Sequence, residues 1–175
     1  MRNFVLAVVC ICLPSAFAQS PDNPLSGANK MFYSLIKGNV AKAAAKVPED
    51  DYSFKPTPEV RSFGQLVGHV ADASYMFCSL AAGEKNPSPG VEKTKTSKAD
   101  LVTALNEAFA YCDKVYDGMT DAAGVEKVKF FGRELPKLSV LSFNISHDFE
   151  HYGNMVTYMR LKGIVPPSSE PQPKK

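Results

Sequence analysis

Four stretches of this chain carry apolar residues at helical spacing, and polar or proline-rich segments separate them. From Leu25 to Val47, the apolar positions Leu25, Met31, Phe32, Leu35, Ile36, Val40 and Ala43 recur near that spacing and predict a first helix, closed by Pro48. The segment EDDYSFKPTPEVR has no period and reads as a connector. Ser62, with Gln65 three residues on, forms a capping box that opens a second helix, FGQLVGHVADASYMFCSLAAG, stopped at Gly83. EKNPSPGVEKTKT reads as a loop. Ser97 and Asp100 open a third helix with a buried face of Leu101, Leu105, Phe109, Cys112 and Tyr116, ending near Gly118. VEKVKFFGREL reads as a small extended excursion turning at Gly132. Pro136 suits the first turn of a fourth helix, which runs to about Lys162 and closes at Gly163 and Pro166-Pro167.

Four amphipathic helices of about 20 residues each, with no repeat and no strand-rich region, predict an all-α four-helix bundle. Such bundles build metal and ligand sites from side chains on facing helices.

The two ends read differently. Met1-Arg2-Asn3 is a short positive start, Phe4 to Leu13 an apolar run, and Pro14 a break. Ala16-Phe17-Ala18 then offers small residues ahead of a cut before Gln19. This is the layout of a signal peptide over residues 1–18, and its apolar run is too short for a stable anchor. The expectations are export to the periplasm or outside the cell, a domain over 19–165, and a disordered tail over 166–175. No other apolar run is long enough for a membrane helix, so no membrane partner is expected after cleavage.

Charge narrows the partners. Twenty Lys and Arg against 18 Asp and Glu, with no basic stripe among aromatics, argue against nucleic acid. Two of the four cysteines leave with the leader. Cys78 and Cys112 are placed to pair in an oxidising compartment, yet each sits on an apolar helical face where a free cysteine is a small hydrophobe. The reading leans to the unpaired state.

The chemistry lies in the three histidines. His147 and His151 are one helical turn apart, with Cβ atoms about 6 Å from each other, so both imidazoles reach one ion. Imidazole nitrogen binds Zn²⁺ or Ni²⁺ at roughly 2 Å. His69 shares a face of the second helix with Leu66, Ala73 and Phe77 and is expected to look inward. Three imidazoles plus water is a common open metal site. Asp72 and Asn144, three residues from His69 and His147, are candidates to hold a water or an imidazole N–H there. Asp148 is assigned to the surface or to inter-helix packing, Glu150 to solvent or the ligand surroundings, and Arg160 to the helix-end carbonyls. Met155, Tyr158 and Met159 are assigned to the core. HDFEH also matches the inverted zinc-protease motif, but a further carboxylate ligand well downstream is missing before the proline-rich end.

The segments SFGQLVGHVADASYMFCSLAAG and GRELPKLSVLSFNISHDFEHYGNMVTYMRLKGIVPP together resemble the DinB/YfiT-like superfamily of small four-helix metal-binding proteins. The likeness covers most of the chain after the leader. It rests on one histidine near the start of the second helix, a Leu-Pro entry to the fourth, the His-x-x-x-His pair, and a Tyr-x-Arg-x-x-Gly-x-x-Pro-Pro ending. The resemblance implies that His69, His147 and His151 bind one divalent metal, zinc or nickel, with open positions for water. It also implies a homodimer, and a metal-dependent hydrolase or thiol transferase acting on a small-molecule substrate. An exported protein departs from the cytosolic thiol enzymes of the family, whose thiols are chiefly intracellular. Three readings stay open: a metalloenzyme, a non-catalytic metal-binding or metal-stabilised bundle, and a bundle whose histidines are held by hydrogen bonds alone.

Overall fold

The computed structural model describes residues 23–171. The leader assigned to residues 1–18 and the last four residues lie outside that range. Four long helices, α1 (Pro24–Lys46), α2 (Phe63–Ala82), α4 (Lys98–Gly118) and α6 (Lys137–Leu161), make the bundle. Two short ones, α3 (Val91–Thr94) and α5 (Asp121–Gly124), and a hairpin of β1 (Lys127–Phe130) and β2 (Arg133–Pro136) decorate it. Packing runs α2 on α4 and α6, and α1 on α6 and α4.

The punctuation works as the pattern implied. Ser62 and Gln65 close a reciprocal capping box at α2, and Gly83 ends that helix at φ 75°. The Ser97 hydroxyl accepts from the Asp100 N–H at the start of α4. Gly163, at φ 70°, follows α6. The loop before α4 is not structureless, since it folds into α3.

Bundle burial corrects part of the first helix. Tyr33, Ile36, Val40, Ala43 and Ala44 face the core, whereas Leu25, Met31, Phe32 and Leu35 are exposed. The apolar residues of α1 therefore split into two faces, and only one is covered by α4 and α6. Met155, Tyr158 and Met159 are core, as assigned.

The two buried phenols of the core are paired. Tyr33 stacks on Tyr116 with ring centroids 4.0 Å apart and donates to the Phe109 carbonyl at 3.0 Å. Tyr116 donates to the Leu141 carbonyl at 2.8 Å and accepts from Asn144 Nδ2 at 3.2 Å. Burial drives both phenols well above their ordinary pKa, so they stay protonated.

Two further expectations are overturned. Cys78 and Cys112 form a disulfide between α2 and α4, with Cα atoms 5.4 Å apart. Each lies on the apolar stripe of its helix, and those stripes meet in the bundle, so two small hydrophobes become a cross-link. Residues 166–171, assigned to a disordered tail, instead include a 3₁₀ turn, Pro167–Ser169, docked on the bundle. Tyr152 donates to Ser168 Oγ at 2.9 Å, and Lys46 pairs with Glu170 at 2.5 Å. Among the described residues no helix is long and apolar enough to cross a membrane.

Candidate metal centre

α2 and α6 lie side by side, and this brings the three histidines together. His147 Nε2 is 3.2 Å from His69 Nε2 and 3.1 Å from His151 Nε2. One ligand-capable atom from each of the three lies within 4.8 Å of the others. Ring nitrogens about 2 Å from a common cation stand roughly 3–3.5 Å apart, so this spacing suits one ion. His151 is buried, while His69 and His147 are partly open.

Burial also sets the protonation. His69 is pushed below the ordinary histidine pKa, first by burial, then by the Arg61 guanidinium and by His147. Burial, His147 and His69 push His151 down to about 3. Both imidazoles are held neutral at pH 7, the form that ligates a metal.

The surroundings of the rings differ from the expectation. Glu92, on α3, places Oε2 3.1 Å from His69 Nδ1 and Oε1 2.8 Å from Arg61 Nε. It thereby turns His69 Nε2 towards the other imidazoles, the carboxylate–histidine arrangement common behind metal ligands. Glu92 lies in a segment read as loop, 23 residues from His69. The one sequence hint is Gly68: a Cβ there would sit 2.7 Å from Glu92 Cα, so only glycine lets α3 approach α2 so closely.

Asp72 makes no contact with an imidazole; its partners lie in the connector. Its carboxylate accepts from the Ser88 hydroxyl and from the backbone N–H groups of Val91 at 2.7 Å and Glu92 at 2.9 Å. It fastens the first turn of α3 and so acts on His69 through Glu92. Asn144 is fully buried and donates to Tyr116, not to an imidazole.

Asp148 is fully buried, and neither oxygen has a partner among the protein groups. Its Oδ1 lies 4.0 Å from His147 Nδ1, which is also unpartnered. Burial raises its pKa to about 6, against the lowering effect of His147. The surface alternative for this residue is therefore excluded: it is interior, beside His147. Glu150 is exposed at the rim. Arg160 does not cap carbonyls; its Nη2 donates to Ser169 Oγ at 3.3 Å.

Two clefts open on the imidazoles. One, of about 670 Å³, has a mixed lining that includes Arg61, Glu92, Glu150 and His151 beside Val60 and Leu66. The other, of about 440 Å³, is lined by His69, His147, Met76, Phe77, Phe131 and Phe143.

A helical bundle with a histidine cluster between α2 and α6 defines a class of helical protein whose facing helices bring three imidazoles within reach of one cation. The chain belongs to the DinB superfamily, whose family model matches residues 36–155. YjoA of Bacillus subtilis, an uncharacterised protein, is 27% identical over 124 residues, covering 69% of this chain and 79% of YjoA. Its crystal structure superposes with a TM-score of 0.66 at 20% identity, covering 83% of this chain and 99% of that one. A DinB-like protein of Bacillus cereus gives 0.71 at 18% identity, covering 81% of this chain and 95% of that one. A mycothiol-dependent maleylpyruvate isomerase gives 0.63 at 17% identity, covering 74% of this chain and 60% of that one. At these identities the superpositions carry the fold.

Proposed function

We propose that this chain is an exported metalloprotein whose His69, His147 and His151 hold one divalent cation, zinc or nickel, and leave positions open for a small-molecule substrate. The convergence of the three imidazoles carries this reading. Neutral rings, a Glu92–His69 contact and solvent access from two clefts support it. A bound divalent cation supplies Lewis acidity towards a water, thiol or carbonyl at an open position.

The chain's own residues do the rest. Glu92 fixes the tautomer of His69 by accepting from Nδ1–H, and Arg61 fixes Glu92. Asp148 stands behind His147 as the acceptor for its Nδ1–H once the ring closes the remaining gap. Phe77 packs edge-to-face with the His147 ring, centroids 5.5 Å apart, and limits the ring's rotation.

The reaction class favoured is a metal-dependent hydrolysis or thiol transfer. Three ligating side chains without a fourth in the cluster suit an open site rather than a closed structural one. The likeness to a mycothiol-dependent enzyme supports a thiol as one substrate. Export is supported by the layout of residues 1–18 and by the Cys78–Cys112 disulfide, which belongs in an oxidising compartment.

Metal analysis of untagged protein tests the reading. About one equivalent of zinc or nickel per chain is expected, lost in His147→Ala with helix content retained. Protein that stays metal-free in the presence of both cations overturns it. Turnover on a panel of thiols and electrophilic acceptors, and on ester and amide substrates, then selects the reaction.

A further inference from the structure

The hairpin tip holds an unusual residue. Phe130 pairs with Arg133, leaving the two-residue turn Phe131-Gly132 with φ values of 46° and 79°. Such a turn needs positive φ at both positions and favours Asn-Gly or Gly-Gly. Phe131 is the one non-glycine residue at positive φ among the described residues. A bulky side chain in that region is costly. Burial of its ring does not offset the cost, because Phe131 remains 73% exposed. Strain kept at a tip with an unburied aromatic ring points to a use for that ring.

Its position supplies the use. Aromatic rings run from the histidines to the tip: His147 to Phe77 at 5.5 Å, Phe77 to Phe143 at 5.3 Å, and Phe143 to Phe131 at 6.4 Å between centroids. These rings line the 440 Å³ cleft together with His69 and His147. That volume suits a small organic ligand. No lysine or arginine lines the cleft. Asp72, its one acid, is committed to Ser88, Val91 and Glu92. A charged tail finds no counter-ion there, whereas a flat uncharged group finds faces and edges of three rings.

We propose that this cleft is the binding site for an uncharged aromatic group of the substrate, with Phe131 as its specificity-determining residue, while the substrate's ligating head reaches the three histidines. The proposal rests on the metal reading for the head and on the cleft alone for the tail. The second cleft, which carries Arg61, Glu92 and Glu150, is left for the second reactant or for water.

Two measurements separate these parts. Cobalt(II) is titrated into untagged protein and followed by its visible absorption, and the loaded protein is then titrated with acetohydroxamate and with 3-phenylpropionohydroxamate. The phenyl compound is expected to bind about tenfold tighter or better. Phe131→Asn, which suits the turn, should cut that preference at least about threefold, with cobalt and acetohydroxamate affinities unchanged. Phe143→Ala should do the same. Equal affinity for the two hydroxamates in the wild type, or a preference untouched by both substitutions, overturns the proposal. Failure to take up cobalt overturns the metal reading and the assignment of the head group with it. The cleft is then read in metal-free protein with benzyl alcohol, by shifts of the Phe131 and Phe143 ring resonances. Shifts at those rings keep the aromatic site, and their absence removes it.

Discussion

Glu92 Oε2 sits 3.1 Å from His69 Nδ1, joining a one-turn helix in a connector to the histidine cluster between the two long helices. Its other oxygen holds Arg61, and the backbone around it is fastened by Asp72. The orientation of one imidazole thus depends on a chain of three side chains, none of which touches the convergence point of the rings.

Breaking that chain should weaken metal binding without abolishing it. Glu92→Ala is expected to lower zinc affinity by about 10–100-fold, and Glu92→Gln by less, since an amide oxygen still accepts from Nδ1–H. Competition with a chelator of known affinity measures both. Affinity equal to wild type in Glu92→Ala means that the contact does not orient His69.

Gly68→Ala offers a steric route to the same place. The added methyl would meet the Glu92 Cα at 2.7 Å, and backbone cannot swing aside as a side-chain tip can. A loss of roughly 1–3 kcal/mol in urea denaturation is expected, as for an overpacked interior. Zinc affinity should fall with it, because α3 carries Glu92.

The disulfide should matter for stability even though the bundle buries a full core. Cys78 and Cys112 are 34 residues apart in sequence, and closing a loop of that length stabilises by about 3–4 kcal/mol on the chain-entropy model. Thermal unfolding with and without a reductant is the measurement. A melting temperature unchanged by verified reduction would show that helix packing alone suffices.

In metal-free protein, the pH dependence of stability should expose an opposition between His151 and Asp148. Burial holds the His151 pKa at about 3 in the folded protein, far below the ordinary histidine value of 6.5, so the unfolded chain binds more protons between those values and stability falls with falling pH. Asp148 behaves oppositely, because its pKa rises from 3.8 to about 6 on folding. Between those values the folded state holds the extra proton, and stability grows as pH falls. The two effects oppose each other from about pH 4 to 6, and the depressed His69, with the lowered Glu59, Asp121 and Glu170 towards the acid end, adds a loss of stability as pH falls. Asp148→Asn removes one side, so stability should fall more steeply from pH 6 to 4, by about one proton's worth of slope. Urea midpoints at several pH values decide it, and parallel curves for the two proteins refute the opposition.

Sequence by itself determined the four long helices, their caps and the identity of the three histidines. Those features are local: a period of 3.6, a Ser62–Gln65 box, a glycine after the last turn, and two imidazoles one turn apart obey the geometry of a single helix. Tertiary structure decided the rest, because it depends on which faces meet. Only the apposition of α2 and α6 brings His69 to the His147–His151 pair, and only that of α2 and α4 turns two apolar-stripe cysteines into a disulfide. The same packing leaves Leu25, Met31, Phe32 and Leu35 outside, and encloses Asp148. It also brings Glu92 to His69 across 23 residues of chain and seats residues 166–171 against the bundle. A one-turn helix like α3 has too few residues to show a period, and a contact across a connector leaves no spacing to read.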